Sequence, residues 1–349
     1  MEITKKVLMD SLKQCQAGIA KGKSRIDGAD AFTFRDGKIL TYNDDVAVCV
    51  PTEYTELDGT IKADVLLKLV PKLEGTFLIV VEEKGWSIHS GTTAIDLAYA
   101  TSECETYIDQ INMARDEWNP IPENFLSTLQ ICTVAKNRTD WDGTFFKDGL
   151  AMTTDLFRMV FSELSAPMDQ FWLSQKDTVA ISRLDTIIAY RVDPSWVQFL
   201  LNDETVHAVR RKADQAYPYE GMLGIYEQYK ASTEREVLSY TFPEGTAEAL
   251  ARASVLSTSE LDKPVVDMKF TRDSLQLSGS CASGKIAENL QWDEPYTCSE
   301  EFTVVMDSAF LMEAVKKSRN FYFLDSETLG ALVVAGEDFL QITKAVRGK

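Results

Sequence analysis

Histidine is nearly missing from this 349-residue sequence, which holds only His89 and His207. A histidine-rich metal centre is excluded by that count. Cysteine is sparse as well: Cys15, Cys49, Cys104, Cys132, Cys281 and Cys298 are scattered and form none of the close pairs of a zinc or redox motif. They read as buried free thiols, the usual state of isolated cysteines in apolar surroundings. No apolar run approaches the roughly 20 residues a membrane helix needs. The opening stretch, MEITKKVLMDSLKQCQ, reads as a charged amphipathic helix without the apolar block or cleavage site of a signal peptide, so a cytoplasmic location is the expectation. Positive charge is in deficit, 36 Lys and Arg against 54 Asp and Glu, for a formal net charge of −18. That balance is the reverse of what a phosphate-binding surface needs. A Ser-His-Asp arrangement, a glycine-rich phosphate loop and a metal-ligand cluster are all missing, and no cofactor is expected.

What is present is an internal repeat. Phe34-Arg35-Asp36-Gly37-Lys38-Ile39, Phe146-Lys147-Asp148-Gly149-Leu150-Ala151 and Phe270-Thr271-Arg272-Asp273-Ser274-Leu275 read alike. Each alternates around an Asp-Gly or Asp-Ser tip, a hairpin signal because the tip residues tolerate positive φ. A second marker recurs in the same order: Asp64, Asp177 and Asp307 each precede helical apolar spacing and can cap a helix start. Both markers return at intervals of roughly 110–130 residues, the signature of repeated domains. Around them each third reads helix, hairpin, helix, hairpin. The later hairpins turn at Glu82-Glu83-Lys84-Gly85, Asn202-Asp203-Glu204 and Gly336-Glu337-Asp338. The predicted class is α+β, with three domains over 1–118, 119–236 and 237–349, each with two helices on antiparallel sheet. Trp118-Asn119-Pro120-Ile121-Pro122 supplies the first boundary, since proline breaks both helix and ladder. The polar stretch from Lys230 to Glu236 supplies the second.

Charge is distributed unevenly over this plan. The six predicted helices with their flanks (4–25, 61–73, 122–138, 174–184, 244–258 and 306–319) carry 17 of the 36 basic residues but 8 of the 54 acidic ones. A helix layer on one side of the sheets could present Lys5, Lys6, Lys13, Lys68, Lys72, Lys136, Arg138, Arg183, Lys316, Lys317 and Arg319 to one partner. Helices lining a hole would make that hole positive whatever the net charge. The blander alternative is that these residues decorate solvated helix faces.

At this point the chain resembles a known family, the bacterial β sliding clamp, over essentially its full length. Met152-Thr153-Thr154-Asp155-Leu156-Phe157-Arg158-Met159 is similar to the family's Ala-Thr-Asp-Gly-His-Arg-Leu strand-end motif. Ala249-Leu250-Ala251-Arg252-Ala253-Ser254-Val255-Leu256-Ser257 resembles the helix that opens its last domain, and Trp141-Asp142-Gly143-Thr144-Phe145-Phe146 sits where the family turns into a strand. The resemblance implies a head-to-tail homodimeric ring around double-stranded DNA that tethers a DNA polymerase and is opened by a clamp loader. It also implies a pocket for client peptides formed by Trp141, Thr154, Leu156, Phe157, Arg158, Met159, Tyr217, Pro218, Met222 and Leu223, with Ile342 or Val346 from the C-terminal end. Leu156-Phe157 stand where the family has Gly-His, and the C-terminal Met-Pro-Met of the family is missing. Such divergence would suit a phage-encoded member. The rival readings are an enzyme, for which no unique polar cluster exists, and a repeat scaffold that never touches DNA. A trimer of two-domain subunits does not fit three repeats.

Overall fold

The protein is described here by a computed structural model covering residues 1–113, 117–133, 140–213, 217–234, 240–257, 264–294, 301–323 and 330–346. In chain order the first third contains β1 (Glu2–Thr4), α1 (Lys5–Cys15), β2 (Ala31–Arg35), β3 (Lys38–Tyr42), β4 (Val46–Pro51) and β5 (Gly59–Lys62). It continues with α2 (Ala63–Leu69), β6 (Thr76–Glu82), β7 (Gly85–Ser90), β8 (Thr93–Ala98) and α3 (Cys104–Ile111). The middle third contains β9 (Asn119–Pro120), α4 (Phe125–Cys132), β10 (Thr144–Lys147), β11 (Leu150–Thr154), β12 (Arg158–Glu163) and β13 (Phe171–Leu173). Then follow α5 (Gln175–Ile181), β14 (Ile187–Val192), β15 (Trp196–Leu201), β16 (Val206–Arg210) and α6 (Tyr219–Glu234). The last third contains β17 (Tyr240–Thr241), α7 (Thr246–Val255), β18 (Val265–Phe270), β19 (Ser274–Cys281), β20 (Gly284–Gln291) and β21 (Phe302–Asp307). It ends with α8 (Ser308–Val315), β22 (Asn320–Phe323), β23 (Ala331–Ala335) and β24 (Phe339–Lys344).

These elements form two compact units, Met1–Ile121 with Leu184–Lys212, and Pro122–Arg183 with Ala213–Lys349. The middle third contributes to both. In the first unit lie a four-stranded sheet, β1-β6-β7-β8, and an eight-stranded sheet, β5-β2-β3-β4-β16-β15-β14-β9. In the second lie an eight-stranded sheet, β13-β10-β11-β12-β24-β23-β22-β17, and a four-stranded one, β20-β19-β18-β21. A rule runs through all four. Each third makes a half-sheet ending at β4, β12 or β20, and a second half-sheet ending at β8, β16 or β24. β4 pairs with β16, and β12 with β24, both antiparallel. β20 and β8 are the two members of the pattern left as sheet edges.

Burial follows the pairing. β4, β16, β12 and β24 are buried along nearly their whole length. β20 instead alternates half-buried and exposed residues, and β8 is exposed or half-buried throughout. Their greater exposure is what strands lacking a lateral neighbour show. Ile95, Leu97, Ile286 and Leu290 are half-buried at these edges, and Val255 on α7 is 78% exposed.

The hairpin tips behave as their chemistry dictates in two of three repeats. Asp36 and Gly37 have φ of 51° and 68°, Asp148 and Gly149 have 53° and 79°, both matched to a two-residue turn with left-handed central residues. The third repeat differs. Thr271–Asp273 connect β18 to β19 by a wider loop, in which the Ser274 amide donates to Thr271 Oγ1 at 3.1 Å.

The helix caps also differ from expectation. Asp307 caps α8 as predicted, accepting from the amides of Ala309 and Phe310 at 3.0 and 3.2 Å. At α5 the cap is Ser174, and Asp177 is its reciprocal partner three residues on. Asp64 makes no cap bond; it sits in the first turn of α2 and pairs with Lys68 at 3.1 Å. The predicted helices are shorter in the structure, and residues 2–4 form β1. α1 ends at Cys15 and a single 3-10 turn follows to Gly18, where an added Cβ would lie 2.3 Å from Thr41 Oγ1. Two helices, α3 and α6, fall outside the predicted six. Cys15, Cys49, Cys104 and Cys132 are buried free thiols and Cys281 is half-buried; Cys298 lies outside the described residues. Among the described residues no helix is long and apolar enough to cross a membrane.

Candidate functional site

In the second unit, strand alternation sends Met152 and Thr154 of β11, Met159 and Phe161 of β12, and Leu340 and Ile342 of β24 to one face of the eight-stranded sheet. α6 crosses that face. Tyr217, just before it, stacks on Phe145 with ring centroids 4.6 Å apart and meets Trp172 edge-on at 5.1 Å. Its hydroxyl donates to the Met152 carbonyl at 3.1 Å. Tyr226 lies 5.2 Å from Phe161. The far end of α6 is clasped by Lys230, whose ammonium is 2.5 Å from Glu163 Oε1, with the Tyr226 hydroxyl on the same oxygen. Burial pushes the Glu163 carboxyl up, but hydrogen bonds from Lys230 and Tyr226 outweigh it and hold the group below its ordinary value. A cavity of about 270 Å³ opens beside this clasp, next to Phe339 and Tyr322.

Of the predicted pocket residues, Trp141, Met159, Tyr217, Met222, Leu223 and Ile342 join one apolar cluster on this face. Thr154 is on the same face, its hydroxyl donating to the Arg158 carbonyl at 2.9 Å. Pro218 is half-buried and its carbonyl accepts from Met222, starting α6. Leu156 and Phe157 form the rim: they are 56% and 42% exposed, on the connection between β11 and β12. Asp155 Oδ1 holds that connection by accepting from the amides of Phe157 and Arg158 at 3.2 and 3.0 Å. Leu156 has φ of 70°, a left-handed conformation that costs a side chain with a Cβ about 1–2 kcal/mol. A glycine would adopt it without strain, so the Leu in this chain keeps an exposed apolar group at the rim at the expense of backbone comfort.

Two predicted members are elsewhere. Arg158 points to the opposite face, fully buried, with Nε 3.1 Å from Asp155 Oδ2, Nη1 2.5 Å from Glu313 Oε2 and its guanidinium 3.9 Å from the Phe310 ring centroid. It fastens β12 to α8, on the sheet face opposite Met159. Removing it strands the buried Asp155 carboxylate, so Arg158→Met is expected to lower unfolding free energy by about 3–5 kcal/mol. Urea denaturation checks this, and an unchanged midpoint would show that the ion pair contributes nothing. Val346 donates its amide to the Val305 carbonyl, beside β21, and is not in the cluster. The sequence reading missed Phe145, Phe161, Trp172 and Tyr226. The signal that could have found Tyr226 is the helical spacing of Tyr219, Met222, Tyr226 and Tyr229, masked by Gly221 and Gly224.

The predicted basic set also divides. In the first unit Lys6, Lys13, Lys68 and Lys72 are exposed, while Lys5 is half-buried and donates to the Leu73 carbonyl at 2.6 Å. On α1, Lys6 and Lys13 lie away from the buried Leu8, Leu12 and Cys15. In the second unit Arg183, Lys316 and Lys317 are exposed, and Arg319 pairs with Asp293 at 3.1 Å. Lys136 and Arg138 lie outside the described residues.

No protein-family model and no curated protein sequence matches this chain. Solved structures do. A DNA polymerase sliding clamp from Bacillus subtilis superposes with a TM-score of 0.79 at 16% identity, covering 100% of this chain and 99% of that one. A DNA polymerase III β chain from Streptococcus pneumoniae gives 0.78 at 16% identity, with 99% of each chain covered. A DNA polymerase sliding clamp from Pseudomonas aeruginosa gives 0.74 at 14% identity, covering 100% and 99%. The chain has the sliding-clamp fold along its whole length.

Proposed function

We propose that this chain is a DNA polymerase processivity factor: two copies close head to tail into a ring around double-stranded DNA and tether polymerases through the α6 face of the second unit. The chain is read as three repeats, 1–118, 119–236 and 237–349, the middle one lending strands to both units. The observation that carries the proposal is the pattern of sheet edges. Two of the three equivalent junctions are made within the chain, β4 with β16 and β12 with β24. The third set of edges, β20 and β8, is open, and a second copy supplies its complement. Two chains of three repeats then make a closed ring with no exposed edge of that kind.

A closed ring does not need tight contacts, because topology prevents escape; weak phosphate attraction by exposed lysines is sufficient and permits sliding. The net charge of −18 is no obstacle if the basic residues face the hole. Ring opening falls to an ATP-driven loader, since the chain carries no nucleotide-binding motif. No residue is assigned a chemical step. The test is retention on DNA: after loading, the protein should stay on nicked circular DNA through a high-salt wash and run off when the circle is cut. Equal retention on both would favour a direct binder, and none on either a scaffold without a DNA role.

Client docking has its own test. An extended peptide would lay apolar side chains over Met159 and Ile342, between the Leu156–Phe157 rim and Met222. Phe157→Ala with Met159→Ala is expected to weaken client-peptide binding at least about tenfold, as loss of a central apolar anchor does, with oligomeric mass unchanged. Unaltered peptide affinity, read by fluorescence anisotropy, would remove the pocket assignment.

A further inference from the structure

We propose that Leu156 is a specificity-determining residue of the client site. It is an apolar contact held against its own backbone preference, and it selects linear segments with a second apolar side chain two residues from the one seated over Met159 and Ile342. Its partner is the client segment of the docking reading above, on which the assignment rests. Six residues other than glycine have positive φ among the described residues, and five of them are Asp36, Asp44, Asn112, Asp148 and Glu204. Asp and Asn tolerate the left-handed region because a short polar side chain can bond the local backbone. Leu156, at 70°, is the one apolar member, and a bulky side chain there is a true outlier. Such strain persists only where the surroundings over-determine the conformation. Here they do. The Leu156 amide donates to Thr154 Oγ1 at 3.2 Å, the Asp155 amide to the Arg158 carbonyl at 3.3 Å, and the Lys344 amide to the Phe157 carbonyl at 2.9 Å. The Asp155 side chain adds its two amide bonds and the buried pair with Arg158.

What the turn itself requires is visible in its counterpart in the first unit. The connection between β3 and β4 uses the same hydrogen bonds: the Asn43 amide donates to the Val46 carbonyl at 3.1 Å, and Asn43 Oδ1 accepts from the amides of Asp45 and Val46 at 3.2 and 2.9 Å. Its first central residue, Asp44, has φ of 75°. The backbone thus asks only for a residue at ease in the left-handed region, and leucine is a poor answer. The core does not ask for leucine either, because Leu156 is 56% exposed. With turn and core both set aside, an outside partner accounts for the side chain. Thr154 lies on the α6 face and pairs with Met159, so Leu156 stands just beyond the end of the apolar cluster. An extended segment repeats its side chains on one face every two residues. One that seats a side chain over Met159 and Ile342 therefore carries the next toward the turn. An apolar side chain at that place gains by removing Leu156 from water, and a small polar one does not.

The test uses the full-length protein and two fluorescein-labelled blocked heptapeptides read by anisotropy, Gly-Leu-Ser-Phe-Ser-Leu-Gly and Gly-Ser-Ser-Phe-Ser-Ser-Gly. The phenylalanine is the seated side chain, and leucine on both sides of it makes the comparison independent of chain direction. The native chain is expected to bind the leucine peptide at least about tenfold tighter than the serine one, from apolar surface buried on both partners. Leu156→Met should keep that preference. Leu156→Asn should reduce it to about twofold or less and raise the urea midpoint, since asparagine relieves the strain. Lost client preference together with gained stability is a combination that a merely structural residue does not give. A preference unchanged in Leu156→Asn, with Met159→Ala weakening both peptides, would overturn the role of Leu156 and leave docking in place. A lowered midpoint would show that the fold itself uses the leucine, and would overturn that role too. Failure of both peptides to saturate the native chain would instead remove the docking reading, and this assignment with it.

Discussion

Asn289→Pro is expected to leave each chain folded and to break the ring into monomers. β19 and β20 are joined by a two-residue turn, with Cys281 paired to Gly284. In such a hairpin the residues flanking the turn exchange hydrogen bonds, so 284, 286, 288 and 290 bond inward to β19. The amides of 285, 287, 289 and 291 therefore point out along the free edge. Asn289 is exposed and pairs inward only as a non-bonded neighbour of Gln276, so proline is tolerated there within the monomer, as on other edge strands. Against a second copy's β8 it removes a ladder bond and leaves the facing acceptor unpaired, about 1–3 kcal/mol. A ring of two chains contains that junction twice, so the dimer constant should weaken between about thirty- and twenty-thousandfold. Sedimentation velocity reads the mass, and far-ultraviolet circular dichroism shows that the fold persists. Dimers of unaltered constant would mean that β20 is not a junction strand.

The second large effect is expected from charge. Reversing Lys68, Lys72, Lys316 and Lys317 to Glu changes eight residues per ring. The stability cost is small: Lys68 gives up an exposed ion pair with Asp64, the kind worth a few tenths of a kcal/mol. The Lys317 ammonium is 5.7 Å from the Phe339 ring centroid, a weak contact. Loading onto DNA is different, because phosphate attraction scales with the number of counterions released and falls steeply with salt. Loading yield should drop at least about tenfold at moderate salt, and its dependence on salt should flatten. Rings that do load should still survive a high-salt wash on circular DNA, since topology and not charge retains them. Unchanged loading would place these lysines on solvated faces without a DNA role.

Much of the fold was legible because its causes are local. Asp-Gly at a hairpin tip and Asp307 at a helix start act through their own backbone, and their return in order reports the repeat. α3 and α6 were not legible because their causes are not local: Gly221 and Gly224 weaken helix propensity in α6, and each helix packs an aromatic ring on a strand residue distant in sequence, Tyr107 on Tyr42 and Tyr226 on Phe161. Part of the residue set assigned to the candidate pocket assembles in one cluster. Met159, Tyr217, Met222 and Ile342 come together because the strand pairing brings them together. Arg158 was grouped with Met159 as a contiguous motif, yet a strand sends neighbours to opposite faces, and Arg158 fastens a helix instead. Asp44 and Leu156 hold the same place in the β3–β4 and β11–β12 connections, with φ of 75° and 70°, a correspondence invisible in the letters because a charged and an apolar residue share only that backbone conformation.

The central claim is closure by β8 and β20 of two chains. Negative-stain electron microscopy of the purified protein at micromolar concentration tests it most directly. Rings with a central hole and a six-lobed outline are the expected result. Compact particles or open crescents without a hole would contradict it.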